Sequence, residues 1–312
     1  MSERKATREG YGDTLAQLGR EHPDIVVFDA DLSGATYTSR FAAVCPERFF
    51  DFGIAEANMV AAAGGMSTVG YVPFVSSFAM FATGRAYEQV RNTVGYPHLN
   101  VKVCASHAGI SVGEDGASHQ CCEDIALMRS IPGMTVICPS DYIEACAAVR
   151  AAYEYRGPVY MRLGRYAVPV INDRPDYSFE LGKGIQMRDG SDVTVVATGL
   201  LVASALEAAE TLAAEGISVR VINIHTLKPL DEEIILRAAR ETGKILTAEE
   251  HSVIGGLGEA VCSLLSEKLP TTVHRLGVQD VYGHSASAAV LLHEFGMDGE
   301  GVAAAVRRLV NG

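Results

Sequence analysis

Short apolar runs alternate with alanine-rich amphipathic segments along the entire chain. The runs IVVF at residues 25–28, NVKVCA at 100–105 and VYMR at 159–162 are rich in β-branched and apolar side chains, as expected of buried strands. The segments between them carry apolar residues at helical spacing. Helices are predicted at residues 6–20, from 55 onward, and at 80–93, 122–130 and 142–155. Strands that alternate with helices in this way are typical of a parallel α/β sheet.

The same alternation starts again in the second half of the chain. A polar, proline-containing stretch at residues 168–175 separates the halves and is typical of a linker. DVTVVATG, from residue 192, and ISVRVINI, from residue 217, are again strand-like, and a helix is predicted after each. We therefore predict an α/β fold with two domains, residues 1–175 and a smaller domain of residues 176–312.

Charge and composition exclude several classes of protein. The formal net charge of −12 argues against binding to nucleic acid or to an anionic membrane surface. No apolar run reaches the roughly 18–20 residues of a membrane-spanning helix, and the opening MSERKATREGYG lacks the apolar core of a signal peptide. The seven cysteines form no CxxC pair, and we expect reduced thiols in the cytoplasm.

Chemically active side chains are concentrated in residues 106–120, SHAGISVGEDGASHQ. This glycine-rich segment follows a predicted strand, and ligands of open α/β sheets bind where the strands end. His107, Glu114, Asp115 and His119 supply hydrogen-bonding and titratable groups. The histidines lack the HxH or HxxxH spacing of a metal site, so recognition of a polyhydroxylated substrate fits better than metal binding.

A second candidate site surrounds Glu56, in the segment DFGIAEANM. A carboxylate among these apolar neighbours would be costly to bury, which would suit it to exchange a proton with a ligand nitrogen. An exposed first-turn glutamate, favoured by the helix dipole, fits the spacing equally well. Phe74, Phe78 and Phe81 are spaced as on one face of a helix or turn, where they could stack on a heterocycle or pack in the core.

Arg8 and Arg165 each stand beside the end of a predicted element. Two guanidinium groups that converge on one anion would form a phosphate clamp. The sequence alone leaves open whether these two arginines converge.

Taken together, these segments resemble the transketolase family over essentially all 312 residues. DFGIAEANM is similar to the glutamate motif of the family, and GEDGASHQ is similar to its GEDG–THQ signature, in the same order and about sixty residues apart. The resemblance implies a pyrimidine-binding domain, which holds part of thiamine diphosphate, followed by the family's C-terminal domain. That C-terminal domain has no catalytic residue in the family, so we interpret His251 and the following GGLG as core or interface.

The resemblance also implies roles for individual residues around the cofactor. Glu56 matches the glutamate that hydrogen-bonds the aminopyrimidine ring and promotes its proton transfer. Phe78 and Phe81 match the aromatic pair of the pyrimidine pocket, with Phe78 the better candidate for stacking. Asp31, in DADLSG, matches an aspartate near the cofactor and the substrate channel.

The sugar-binding roles follow from the same resemblance. His119 matches a histidine near the ketol oxygens, and Asp115 matches the aspartate that recognises the α-hydroxyl of the aldehyde. The groups that hold the sugar phosphate have their matches in His107, Arg8 and Arg165. One position departs from the family pattern, because Ala35 stands where the family has a phosphate-contacting serine, which puts the acceptor preference in question.

Other enzyme families share part of this pattern. Deoxyxylulose-phosphate synthases share GIAE, but their glycine segment lacks a histidine at the place of His107. The beta subunits of pyruvate-type 2-oxoacid dehydrogenases share the glutamate but lack the GEDG–HQ segment. His107 with Glu114 therefore favours a transketolase. A non-catalytic assembly subunit is the alternative of a different class, and a copy of that kind would have no reason to keep Glu56.

Enzymes of this family also need a pyrophosphate-binding domain, whose GDG…N motif holds Mg²⁺ or Ca²⁺ through oxygen ligands. This sequence contains EDG, RDG and MDG but no match to that motif. We therefore expect an N-terminal partner subunit to supply the metal ligands, within an α2β2 heterotetramer in which this chain also contacts its own copy. The predicted function is the transfer of a two-carbon ketol unit from a ketose phosphate to an aldose, as in the pentose phosphate pathway.

Overall fold

The computed structural model describes residues 3–311. The strands of the first half are β1 (Arg4–Lys5), β2 (Ile25–Asp29), β3 (Phe49–Asp51), β4 (Val72–Phe78), β5 (Lys102–Ser106), β6 (Thr135–Ile137), β7 (Val159–Arg162) and β8 (Val168–Pro169). Those of the second half are β9 (Ile185–Arg188), β10 (Val193–Ala197), β11 (Val219–Asn223), β12 (Thr226–Lys228), β13 (Lys244–Ser252) and β14 (Thr272–Val278).

Helices connect most of these strands. The α-helices are α1 (Thr7–Glu21), α2 (Ser33–Thr36), α3 (Ser39–Ala42), α4 (Glu56–Thr68), α5 (Tyr87–Gln89), α6 (Asp124–Ser130), α7 (Tyr142–Glu154), α8 (Leu201–Ala213), α9 (Glu232–Thr242), α10 (Leu257–Lys268), α11 (Ala288–Glu294) and α12 (Gly299–Asn311). Short 3₁₀ turns lie at Pro46–Arg48 and Ile110–Val112, and π-helical turns at Met80–Arg85 and Val90–Gly95.

The first half is built on a seven-stranded sheet in the order β12-β6-β7-β5-β4-β2-β3. Every neighbouring pair is parallel except β12 with β6. Strands β2, β4 and β5 are buried along their entire length, because helices cover both faces of the sheet. The predicted parallel α/β fold is confirmed.

The register of this sheet determines which residues meet at its carboxyl edge. Phe78, the last residue of β4, is paired with Ser106, the last residue of β5. Asp29, at the end of β2, is paired with both Asp51 and Ser76. The segment that begins at residue 106 therefore emerges beside the aromatic end of β4.

The second half forms a five-stranded sheet in the order β14-β13-β10-β11-β9, with only β9 antiparallel to its neighbour among these described strands. Strand β12 leaves this half and pairs with β6 of the first sheet. One hydrophobic core also continues from the first half into the second, through Ile222, Ile224 and Leu227. The predicted domain boundary at residue 175 falls between β8 and β9. It stays a prediction, because the two halves share a sheet and a hydrophobic core.

Three local predictions differ from the structure. The predicted helix at 80–93 is broken into two π-helical turns and α5; in the first turn the Ala86 N–H reaches the Phe81 carbonyl at 3.1 Å, five residues back. Phe74 and Phe78 lie on β4, so the prediction that the three phenylalanines share a helical face is wrong. Part of the predicted linker is β8, which pairs with β1 at the start of the chain.

Candidate active site

Residues from the carboxyl ends of β4 and β5 form the wall of the candidate site. The ring of Phe78 stacks on the ring of His107 with a centroid distance of 3.8 Å, and Phe81 lies 6.1 Å from Phe78 at an interplanar angle of 20°. The edge of Phe81 faces His119 at 5.2 Å. The resemblance places Phe78 and Phe81 at the heterocycle and the two histidines at the sugar, and the structure brings all four rings together.

Glu56 is the first residue of α4, and its side chain is only 1 % exposed. Arg85 Nη1 donates to both carboxylate oxygens, at 3.0 and 2.8 Å, and Ser77 Oγ lies 3.4 Å from Oε1. The N-terminal end of the helix also favours a negative charge. The alternative of an exposed first-turn glutamate is therefore wrong, and the buried carboxylate has a cation that the apolar sequence context did not predict.

Arg85 extends from the first π-helical turn between the acid and the aromatic wall. Its guanidinium carbon lies 4.5 Å from the centroid of the Phe81 ring, and its side chain is 47 % exposed. The guanidinium thus covers one side of the pocket in which Glu56 lies. A buried glutamate requires a partner for its charge, and that requirement was the only signal in the sequence that could have pointed to Arg85.

His107 links the aromatic wall to the basic side of the site. Its backbone has a left-handed φ of 58°, and its ring is buried. Nδ1 lies 2.9 Å from Ser106 Oγ, and Nε2 lies 3.5 Å from Arg8 Nη1. Burial lowers the pKa of His107 to about 3, with further contributions from Arg8, Arg165 and His119. The imidazole is therefore neutral at physiological pH, with Nε2 facing the guanidinium as an acceptor.

The two arginines approach this histidine from different directions. Arg8 Nη1 donates to the Ala35 carbonyl at 2.7 Å. Ala35, which stands where the family has a serine, therefore contacts this arginine. Arg165 donates to the Val112 carbonyl and lies 3.5 Å from a Glu114 carboxylate oxygen. Burial lowers the pKa of Arg8, and the positive charge of Arg165 lowers it further. The charges of both arginines act on His107, and their convergence on one anion stays a prediction.

Asp115 and His119 lie on the exposed side of the same loop. Asp115 Oδ2 is 3.9 Å from Arg165 Nη1, and its side chain faces solvent. His119 is partly buried, and its Nδ1 lies 3.0 Å from Ser118 Oγ. Both groups remain available to a ligand that enters from the open side.

Asp31 lies farther along the carboxyl edge of the sheet. Its φ is 60°, its side chain is exposed, and its N–H donates to Asp51 Oδ1 at 3.0 Å. The neighbouring Asp29 is buried instead, accepting hydrogen bonds from the hydroxyls of Thr36 at 2.7 Å and Thr38 at 2.8 Å, and burial raises its pKa. Asp29 therefore shapes the turn, and Asp31 is the one that faces outward.

The pocket fits the aminopyrimidine ring of thiamine diphosphate by its chemistry. A carboxylate has about four acceptor positions, and Arg85 and Ser77 occupy three of those on Glu56, which leaves one for a ring nitrogen. The rings of Phe78 and Phe81 offer an aromatic surface beside it.

Across residues 3–311, no group of three or more His, Cys, Asp or Glu side chains is arranged to hold a metal ion. Over the same range, no helix has the length and apolar character needed to cross a membrane.

Comparisons with known proteins define the class. The pyrimidine-binding domain of transketolase matches residues 3–170, and the transketolase C-terminal domain matches residues 182–302. The chain is 50% identical to a putative transketolase C-terminal section from Methanocaldococcus jannaschii, over 96% of this chain and 94% of that protein. It is 44% identical to a 6-deoxy-6-sulfo-D-fructose transketolase subunit from Clostridium sp. (strain MSTE9), over 93% and 90% of the two chains. The chain therefore belongs to the transketolase family.

A solved structure and a full-length relative define the type of subunit. A structure described as a split gene transketolase, inactive beta4 tetramer, superposes with a TM-score of 0.91 at 52% identity, over 98% of both chains. Human transketolase is 40% identical over 99% of this chain but only 50% of its own length. The predicted function, the C-terminal subunit of a two-chain transketolase, is confirmed at the level of the enzyme class.

Proposed function

We propose that this chain binds the aminopyrimidine ring of thiamine diphosphate and the sugar, and that an N-terminal partner subunit completes the site. The complete enzyme would transfer a two-carbon ketol unit from a ketose to an aldose. The observation that carries this proposal is the buried carboxylate of Glu56, which retains one open acceptor position and which Arg85 joins to the stacked pair Phe78 and Phe81.

Glu56 is proposed to hold and exchange a proton at the ring nitrogen of the bound aminopyrimidine. When bound, thiamine diphosphate supplies the nucleophilic carbon that breaks and forms the carbon–carbon bonds of the sugars. Phe78 and Phe81 orient the ring, and Arg85 holds the carboxylate in place. Asp31 is proposed to face the channel that leads to this position.

The sugar is proposed to lie against the loop of residues 106–120. Neutral His107 accepts or donates one hydrogen bond, while His119 and Asp115 contact the hydroxyls near the reacting carbons. Arg8 and Arg165 supply positive charge for a terminal anion. Two relatives support an anionic terminus, since their names specify 6-deoxy-6-sulfo-D-fructose and apulose-4-phosphate. Arg8 is bonded to the Ala35 carbonyl, so the acceptor specificity need not follow that of serine-containing relatives.

The partner is proposed to bring the diphosphate site and its Mg²⁺ or Ca²⁺, within an α2β2 heterotetramer that acts in the pentose phosphate pathway or in the breakdown of a rarer sugar. The related structure described as an inactive beta4 tetramer supports the expectation that this subunit alone is inactive. All seven cysteines are free, which supports a reducing compartment such as the cytoplasm.

The test is ketol transfer by the isolated chain, by the partner and by their mixture, each with thiamine diphosphate and Mg²⁺. We expect activity only in the mixture. Glu56→Gln should lower the rate of the mixture by about 10²–10⁴-fold, the usual contribution of a general acid or base. The matched control is Glu267→Gln, which changes an exposed glutamate of α10. Strong activity of the isolated chain, or an unchanged rate with Glu56→Gln, refutes the proposal; the second outcome favours an assembly subunit.

A further inference from the structure

We propose that Glu250, in the C-terminal half, is a positioning residue for the loop of residues 106–120. The inference rests on the proposed sugar-binding role of that loop. Glu250 lies on β13, its side chain is buried, and Oε1 accepts a hydrogen bond from the Ser111 backbone N–H at 2.5 Å. This contact joins positions 139 residues apart and connects the second sheet directly to the candidate site.

The Ser111 N–H, which donates to Glu250, lies next to the carbonyl that accepts a hydrogen bond from Arg165. Ser111 is the central residue of the 3₁₀ turn Ile110–Val112, and the Val112 carbonyl accepts a hydrogen bond from Arg165 Nη1. Arg165 in turn lies 3.5 Å from Glu114 and 3.9 Å from Asp115. A displacement of the turn would therefore move the arginine and both carboxylates together.

The fit between Glu250 and the loop is close on its other side as well. Gly109 has a φ of +80°, and a Cβ at this position would lie 2.3 Å from the Glu250 carboxyl carbon. The Gly109 N–H donates to the Cys121 carbonyl at 2.8 Å, which closes the base of the loop. Only glycine allows the loop backbone to approach this carboxylate, and Gly109 is two residues from His107.

Glu250 is itself held in place by Arg162. Arg162 Nη2 donates to the Glu250 carbonyl at 2.8 Å, and Nη1 lies 4.0 Å from the carboxylate. Arg162 Nε donates to Asp124 at 2.8 Å, so the guanidinium joins the two halves. The carboxylate is therefore fixed on one side by a buried cation and used on the other side to orient the loop.

The C-terminal half secures the far end of the same loop through Gln120. Its Nε2 donates to the His284 carbonyl at 2.9 Å and lies 3.2 Å from the Gly113 carbonyl. The sugar-binding loop thus contacts the half of the chain that carries no proposed catalytic group at two places, Ser111 and Gln120. The role of that half in the reaction is accordingly to set the shape of the loop.

The chain offers a matched control in Glu249, the preceding residue of the same strand. Glu249 is also fully buried, and its carboxylate accepts two backbone N–H groups, from Leu257 at 2.6 Å and Gly258 at 2.8 Å. Those groups belong to α10 within the C-terminal half. Removing Glu249 therefore disturbs the same domain without touching the loop.

The first experiment measures amide hydrogen exchange in the isolated chain, for the wild type, Glu250→Ala and Glu249→Ala. We expect residues 106–120 to exchange about tenfold faster or more in Glu250→Ala only, because the Ser111 N–H loses its acceptor. Should Glu250→Ala fail to fold, Glu250→Gln keeps an acceptor oxygen and should restore most of the protection. Gly109→Ala places a methyl group against the Glu250 carboxylate and should also speed amide exchange in residues 106–120. Unchanged loop exchange in Glu250→Ala, or equal loop exchange in both alanine variants, overturns the proposal.

The second experiment measures steady-state kinetics with the partner subunit present. We expect Glu250→Ala to raise the KM for the sugar phosphate by about tenfold or more while kcat and half-saturation by thiamine diphosphate change less than about threefold. An equal loss of cofactor affinity contradicts a role confined to the sugar loop. If Glu250→Ala speeds loop exchange but the wild-type chain shows no ketol transfer with any partner, the positioning role of Glu250 stands and the proposed function is refuted.

Discussion

Removing the guanidinium of Arg85 should destabilise the chain. Glu56 is buried, and Arg85 is the cation bonded to both of its oxygens. Breaking a fully buried ion pair from one side costs about 3–5 kcal/mol. Because the Arg85 side chain is 47 % exposed, water reaches this pair, and we expect about 1–2 kcal/mol for Arg85→Ala at pH 8.

The contact of Arg85 with the Phe81 ring adds a second, smaller loss. An exposed cation–π contact contributes about 0.5–1 kcal/mol. Together with the ion pair, this gives an expected loss of about 1.5–3 kcal/mol for Arg85→Ala.

The assay is urea unfolding of the isolated chain at one protein concentration and pH 8, followed by circular dichroism. Arg85→Lys retains the charge and should lose less stability than Arg85→Ala. The control is Arg91→Ala, in the second π-helical turn, since that guanidinium contacts the Asn92 side chain. A stability loss in Arg85→Ala that is no greater than that of Arg91→Ala, or no greater than that of Arg85→Lys, would refute the reasoning.

Three further predictions concern other charged groups. Asp124→Asn should lower stability by about 3–5 kcal/mol, seen as a lower urea midpoint, because it leaves the Arg162 guanidinium buried beside a neutral group; a loss under about 1 kcal/mol contradicts this. On acidification from pH 6.5 to 3, His107→Asn should lose less stability than the wild type, because in that range the unfolded chain protonates this histidine and the folded chain does not. Parallel pH profiles of the urea midpoint for the two proteins would contradict a buried neutral ring. Arg165→Ala should raise the KM for a phosphorylated sugar about tenfold or more and leave the KM for a neutral sugar within about twofold; equal changes would show that the arginine does not bind the anion.

The sequence was sufficient to predict the elements that follow from local periodicity. Strand β7 has the predicted bounds, and α1 and α7 each lie within about one residue of them, because their apolar spacing is regular. The end of β5 could be placed at the ligand-binding edge of the sheet, where the strands end. Strand β4 could not, because the spacing of its phenylalanines indicated a helix or turn. The register of β4 with β5, which brings Phe78 beside His107, depends on pairing between distant segments.

Other features depend on contacts that sequence reading does not reveal. The π-helical turns break a segment whose spacing predicts one continuous helix, and only this local geometry places Arg85 against Glu56. Strand β12 crosses into the first sheet, although the alternation of elements assigns it to the second. Glu250 lies in a buried strand, and its partner is a backbone N–H, which has no side-chain signature at all.

The central claim is that Glu56 of this chain exchanges the proton that activates a cofactor held in part by another subunit. The most direct measurement is the rate at which bound thiamine diphosphate exchanges its reactive ring hydrogen with deuterium, in the isolated chain and in the mixture with the partner. The account predicts rapid exchange only in the wild-type mixture, and a rate at least about 10²-fold lower with Glu56→Gln. Equal exchange rates for the wild-type and Glu56→Gln mixtures, or rapid exchange in the isolated chain, would contradict it.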